Sequence, residues 1–205
     1  IDNEKKEYEI EDQKFELQKI RVASELIDKH NLYLCANNRL VETKDISKYI
    51  VDLDGILKDE EKSFWVLGLI TSKYLDDNVD MNRLSFSIPE ESNEDLCHTI
   101  TKKQIVQDAI KIIEEDLNKY LLPIRKKKKE RVMNYIKTTA PQYRHLLKYE
   151  ETKVIDCKPG LTDEKLDTYL YQLARDFEKE NRENGESLLT ALNTDSINEE
   201  EYTNK

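Results

Sequence analysis

Residues 31–42, "NLYLCANNRLVE", are an apolar run interrupted by Asn37-Asn38-Arg39 and resumed by Leu40-Val41. Two adjacent asparagines tolerate positive φ, so the pair suits the centre of a tight type I′ reversal between two strands. That reading decides the fold of the first third of the chain. "KFELQKIRV" (Lys14 to Val22) also mixes alternation with β-branched and aromatic residues, and Asp28-Lys29-His30-Asn31 supplies turn chemistry between the two runs. They read as neighbouring antiparallel strands.

Working outward, Ile46, Tyr49, Ile50, Leu53, Ile56 and Leu57 recur at helical spacing after a Thr43 or Asp45 cap, which predicts a helix weakened by Gly55. "SFWVLGLITSKYL" (Ser63 to Leu75) opens as a strand buried on both faces. "LSFSIP" alternates Leu84, Phe86 and Ile88 inward until Pro89 stops it. The order strand, strand, helix, strand, strand is that of a two-layer α+β module. Beyond the composition shift at "EESNEDLCHT" the chain is helical. Thr101 and Gln104 form a capping box, and Val106, Ile110, Ile113, Leu117, Tyr120 and Ile124 make one apolar stripe. Pro123 is expected to kink or break that helix, Val132, Met133, Tyr135 and Ile136 to continue its face, and Thr139-Ala140-Pro141 to end it. A last helix starts at a Thr162 cap and runs through Leu166, Tyr169, Leu170, Leu173 and Phe177, with Gly185 beyond its end. The expected architecture is α+β: a small two-layer sheet-and-helix domain (1–95), a mainly α-helical module (96–185) and a polar tail (186–205).

Composition excludes several classes. Of 205 residues, 37% are charged and 38% hydrophobic, with only four glycines and four prolines, so the chain is neither disordered nor loop-rich. A net charge of −10 opposes adhesion of the whole chain to DNA or anionic membrane. No long apolar span and no signal peptide are present, and a cytoplasmic location without membrane association is expected. Cys35, Cys97 and Cys157 are odd in number and widely spaced, which reads as three reduced thiols, Cys97-His98 as a linker pair and Cys157 as a loop thiol. Ile1 in place of a starting Met is read as the start of a piece of a longer protein. The three histidines, His30, His98 and His145, assemble no Ser-His-Asp or Cys-His constellation.

Two stretches carry candidate chemistry. "YLDDNVDMNRLSFSIP" (residues 74–89) packs Asp76, Asp77, Asn78, Asp80, Asn82 and Arg83 between two strands, denser in polar groups than a connection requires. The aspartates lack the spacing of a calcium loop, so no metal ligands are assigned. Arg125, Lys126, Lys127, Lys128 and Lys129 put like charges within little more than one helical turn, a solvated face or a nucleic-acid contact. No aromatic is interleaved for base stacking.

Taken together, Ala36-Asn37-Asn38-Arg39 and the 74–89 loop resemble elements of the transducer domain (ribosomal protein S five-like) of the gyrase B, MutL, histidine kinase and heat-shock chaperone ATPase superfamily. MutL-like members end a strand on Val-Asn-Gly-Arg, with Asn38 here in place of glycine. They also carry a loop Asn-Val-His-Pro-x-Lys whose lysine reaches the terminal phosphate of ATP; Asn78-Val79 begins such a loop, and Arg83 stands at that lysine's offset. The resemblance covers about residues 13–89 and implies that Arg83 contacts the γ-phosphate, that Asn78 and Asn82 shape its loop, and that Asn38 and Arg39 brace the sheet edge beside it. A surface salt bridge to a nearby aspartate is the other reading of Arg83, and hairpin geometry alone the other reading of the asparagine turn.

The superfamily's glycine-rich lid and its helical Asn and Glu motif have no counterpart here. ATP with Mg is therefore expected only together with an upstream nucleotide-binding domain of the same protein. This chain alone is expected to be non-catalytic, and ATPase activity would belong to the full-length protein. Its helical module would relay nucleotide state to a partner or to the mate in a homodimer. The alternative from another class is a stand-alone helical module that binds protein or nucleic acid.

Overall fold

The computed structural model describes residues 3–59, 62–82, 84–91 and 100–193. Strands β1 (Asn3–Ile10), β2 (Gln13–Ala23), β3 (Asn31–Ala36), β4 (Arg39–Asp45), β5 (Leu57–Asp59) and β6 (Lys62–Thr71) come first. Helices α1 (Lys73–Asp77), α2 (Lys102–Thr138), α3 (Arg144–Tyr149), α4 (Glu151–Ile155) and α5 (Asp163–Asn193) follow. The class is α+β. The chain divides into two compact units, Ile1–Arg125 and Lys126–Lys205. The division falls within α2, whereas the composition shift near residue 95 precedes that helix.

In the first unit the sheet order is β1-β2-β6-β3-β4, with β5 also paired to β6. All pairings are antiparallel except β3 with β6. Period-two alternation turns Phe15 and Leu17 of β2, Leu32 and Leu34 of β3, and Val66 and Ile70 of β6 into one core. The stripe Ile105, Ala109, Ile113, Leu117 and Leu121 of α2 belongs to the same core, and each of its Leu or Ile side chains contributes about 1.5–3 kcal/mol by leaving water. Gly68 leaves room for its neighbours: a Cβ there would stand 2.7 Å from Cδ1 of Leu32 on the adjacent strand and 3.2 Å from Cδ1 of Ile113 on α2.

The reversal at Asn37-Asn38 is as expected, with φ of 50° and 60°. A second turn of the same kind joins β1 to β2 at Glu11 (φ 45°) and Asp12 (φ 62°). Glutamate is poorly suited to a left-handed backbone, and asparagine is favoured at the first position of this turn. Glu11→Asn is expected to stabilise the protein by about 0.5–1 kcal/mol. An unchanged urea midpoint would count against the strain at Glu11.

Several expectations need correction. The predicted helix after Val41 is absent: β4 runs to Asp45, and a 3-10 turn at Ile46–Lys48 follows, capped by Ser47 N–H on the Asp45 carboxylate at 2.9 Å. Ile46, Ile50, Leu53 and Leu57 are nonetheless buried, because successive turns and the short β5 deliver them to the core that a helix would have reached. The strand from Ser63 stops at Thr71, since Ser72 caps α1 through Leu75 N–H at 3.0 Å. Residues 84–89 form no strand beyond a single bridge between Val79 and Phe86; Phe86 and Ile88 point inward as expected, but Leu84 is exposed. β1 was unforeseen, its charged sequence hiding an inward set of Lys6, Tyr8 and Ile10.

Helix α2 continues through Pro123. The carbonyl of Lys119 loses its N–H partner there, and both residues are exposed, so water can satisfy it. In the second unit Val132, Ile136, Tyr143, Leu146, Val154, Cys157, Leu166 and Leu170 form a separate core. Thr162 caps α5 as expected, accepting from Lys165 N–H at 3.4 Å. The helix passes Gly185 and ends at Asn193, so part of the expected polar tail is helical and residues 194–205 lie outside the described residues.

Candidate functional site

Because β3 and β6 run parallel as neighbours, Leu34 opposite Ile70, whatever follows each strand emerges at the same end of the sheet. The Asn37-Asn38 turn follows β3, and α1 with the polar loop follows β6. The two are joined directly: Asn37 N–H donates to Asp76 Oδ1 at 2.6 Å. Leu75, fully buried, pins α1 beneath this contact.

The loop then folds on itself. Asn78 uses its side-chain amide to donate to the Tyr74 carbonyl at 2.9 Å, and its own carbonyl accepts from Ser87 N–H at 2.8 Å. Asp80 N–H donates to the Ser85 carbonyl at 3.0 Å, and its carboxylate accepts from Leu84 N–H at 2.7 Å and Ser85 Oγ at 3.3 Å. Asn78 thus ties the loop to α1 on one side and to its returning limb on the other. Of the loop's aspartates, Asp76 and Asp80 accept hydrogen bonds within the fold, and among the described residues no group of three His, Cys, Asp or Glu is placed to hold a metal ion.

At the tip, Met81, Asn82 and Leu84 are exposed, Met81 completely and Leu84 by 77%. Arg83, with Cys97 and His98, lies outside the described residues. Asn38 and Arg39 are exposed, and Arg39 makes no ion pair with the described residues. The descending limb is anchored: Lys102 and Lys103 N–H groups donate to the carbonyls of Pro89 (2.9 Å) and Glu90 (3.1 Å). Lys102 Nζ, nearly buried, reaches Glu42 of β4 at 3.0 Å and Glu90 at 2.8 Å. The Lys102 ammonium holds the Glu90 carboxyl below the usual carboxylate range. Thr101 and Gln104 form the expected capping box, Thr101 N–H to Gln104 Oε1 at 2.8 Å and Gln104 N–H to Thr101 Oγ1 at 3.2 Å. The site is therefore a braced frame with a short apolar and polar tip facing outward.

The basic run is less available than its sequence implies. Arg125 binds Asp52 at 2.8 Å and also Glu114, Lys128 is buried and partnered, and Lys129 pairs with Glu151 at 2.9 Å. Lys126 and Lys127 are exposed. Glu114 lies on α2 itself, about three turns before Arg125, but Asp52 and Glu151 come from segments that spacing along the helix does not identify. The Asp76 clasp was equally silent in the sequence.

No family model matches the chain, and neither a curated protein nor a solved structure matches it. No helix among the described residues is long and apolar enough to cross a membrane.

Proposed function

We propose that this chain is the transducer and helical portion of an ATPase of the gyrase B, MutL, histidine kinase and heat-shock chaperone superfamily, relaying nucleotide state from an upstream domain. The observation that carries this reading is the hydrogen bond from Asn37 N–H to Asp76. It unites the asparagine turn and the polar loop, the two short motifs on which the resemblance rests, at one end of the sheet. A loop that senses a phosphate held by another domain needs a stiff base and an outward tip, and the 78–87 hairpin has both.

The superfamily's glycine-rich lid has no counterpart in the sequence, so in this reading Mg-ATP is held by the upstream domain. This chain's part in the reading is to present Arg83, flanked by Asn82 and steadied by Asn78, toward the γ-phosphate site of the neighbouring domain. A guanidinium suits that role because it binds a terminal phosphate bidentately and loses its partner after hydrolysis and release. Asn38 and Arg39 stand at the same sheet end.

The test is ATP turnover by this chain alone and by the chain extended upstream. Activity is expected only in the extended protein, and Arg83→Ala there should lower turnover by about tenfold or more with an unchanged unfolding midpoint. Unchanged turnover would remove Arg83 from the mechanism. Inactivity of both wild-type forms would favour the interaction-module reading.

A further inference from the structure

The distal part of α5 is a helix without a core to lie on. Leu166, Leu170 and Ala174 are buried and Phe177 is half-buried, but no side chain from Glu178 to Thr190 is buried. The stretch includes Asn181, Asn184, Gly185 and Ser187, all weak helix formers. In globular proteins such helix owes its stability mainly to packing rather than to propensity. Leu189 is 62% exposed. Glu186, three residues before it and so on the same side of the helix, makes no ion pair with the described residues.

Elsewhere in the same unit α2 and α3 enclose an open groove of about 580 Å³ lined by Met133, Ile136, Leu147, Lys137, Arg144 and Glu130 among others. Its floor is apolar, with Met133 40% exposed. Lys137 and Arg144 make no ion pair with the described residues, and Arg144 is held in place by donating to the Lys137 carbonyl at 3.1 Å. In a chain of net charge −10, Lys137 and Arg144 against the single acid Glu130 give the lining of this apolar groove a positive balance, which favours an acidic amphipathic helix. The exposed part of α5 is acidic on balance, with Glu178, Glu180, Glu183 and Glu186 against Lys179 and Arg182. Glu183 pairs with Lys179 at 3.6 Å and Glu180 with Lys153 at 3.9 Å, which leaves Glu186 beside Leu189 to meet the groove's cations.

We propose that the groove between α2 and α3 receives the distal part of α5 from a second copy of this chain. Leu189 enters the Met133 and Leu147 floor, and Glu186 faces the Lys137 and Arg144 edge. Reciprocal exchange about a two-fold axis closes the assembly as a dimer, whereas one-way insertion would propagate. The inference does not depend on the ATPase reading.

Sedimentation equilibrium of the chain across a wide concentration range tests it. A reversible dimer is expected. Lys137→Glu with Arg144→Glu should raise its Kd about tenfold, as should Glu183→Lys with Glu186→Lys, and the four changes together should restore most of the lost affinity. Leu189→Asp should weaken the dimer further, with far-UV circular dichroism reporting that each variant stays folded. A monomer at every concentration overturns the proposal. So does a dimer whose Kd ignores both charge reversals, or a combined variant that recovers nothing.

Discussion

His30→Leu is expected to lower the free energy of unfolding by about 3 kcal/mol, although leucine is close to histidine in size. The imidazole is completely buried, and both ring nitrogens are used: Nδ1 accepts from Val66 N–H at 2.9 Å, and Nε2 donates to the Gly55 carbonyl at 2.9 Å. It also meets Trp65 edge-on, ring centroids 4.7 Å apart. Leucine fills similar space but leaves the buried Val66 N–H without a partner, costing about 1–3 kcal/mol, and loses the bond to the carbonyl of exposed Gly55, worth about 0.5–1.5 kcal/mol. Burial also pushes the His30 pKa down, against smaller opposing effects of the Gly55 carbonyl and Asp45.

The sign of the pH dependence follows. The unfolded chain takes up the proton near the ordinary value of 6.5, while the folded chain resists it until a lower pH. The stability due to neutral His30 is therefore complete above about pH 6.5 and declines as pH falls from there toward the folded value. Urea titrations of wild type and His30→Leu at about pH 7.5 and about pH 5 should show the gap between them narrowing at the acid end. A constant gap would rule out the buried neutral imidazole, and a gap under about 1 kcal/mol at neutral pH would mean that its two hydrogen bonds contribute little.

Asp116→Ala should cost about 2–4 kcal/mol. Asp116 projects from α2 to Lys19 of β2 at 2.7 Å and to Lys6 of β1, and Lys19 also reaches Glu4 at 2.7 Å. The Lys19 side chain is only 9% exposed and that of Asp116 13%, so the ammonium has little access to water. Removing the carboxylate leaves Lys19 with the half-exposed Glu4 alone, which is why the cost falls short of a fully orphaned charge. Burial pushes the Asp116 carboxyl up, but the hydrogen bonds and charges of Lys19 and Lys6 outweigh it and hold the carboxyl below its usual range. Its contribution is thus intact at neutral pH and fades only as pH falls through that depressed value. The double variant Lys19→Met with Asp116→Leu should recover most of the loss, because an apolar pair of similar size needs no solvation. A double variant as unstable as the single one would show that packing, and not an orphaned cation, sets the cost.

What could be read in the sequence was what depends on near neighbours. The Asn37-Asn38 reversal, the Thr101 and Gln104 box and the Thr162 cap each involve residues within a few positions, and all appear as expected. Long-range compensation was illegible. Strand β1 looks too charged to be a strand until Asp116, far along the chain, is seen to neutralise Lys6. His30 reads as turn chemistry because its two partners lie 36 and 25 residues away. The apolar spacing from Ile46 to Leu57 fits a helix, yet the Asp45 cap and the return into β5 satisfy the same burial with a tighter path. At the candidate site the loop was legible as polar and dense, but its attachment to Asn37 through Asp76 depends on the parallel pairing of β3 and β6, for which no local signal exists.

That pairing also governs how the sheet is made. β6 is its last strand in the chain and lies at its centre. The β1–β2 and β3–β4 hairpins close on short turns and form on the microsecond scale, without waiting for the rest. The inner edges of β2 and β3 have no partner until β6 has been synthesised and threaded between them. A nascent chain therefore carries two open edges while the intervening residues emerge from the ribosome, and such edges pair readily with those of other chains. Insertion joins segments distant in sequence and is slower than either hairpin. Recovery of folded protein is thus set by a race between insertion of β6 and association of open edges, so slower synthesis or lower expression should favour it.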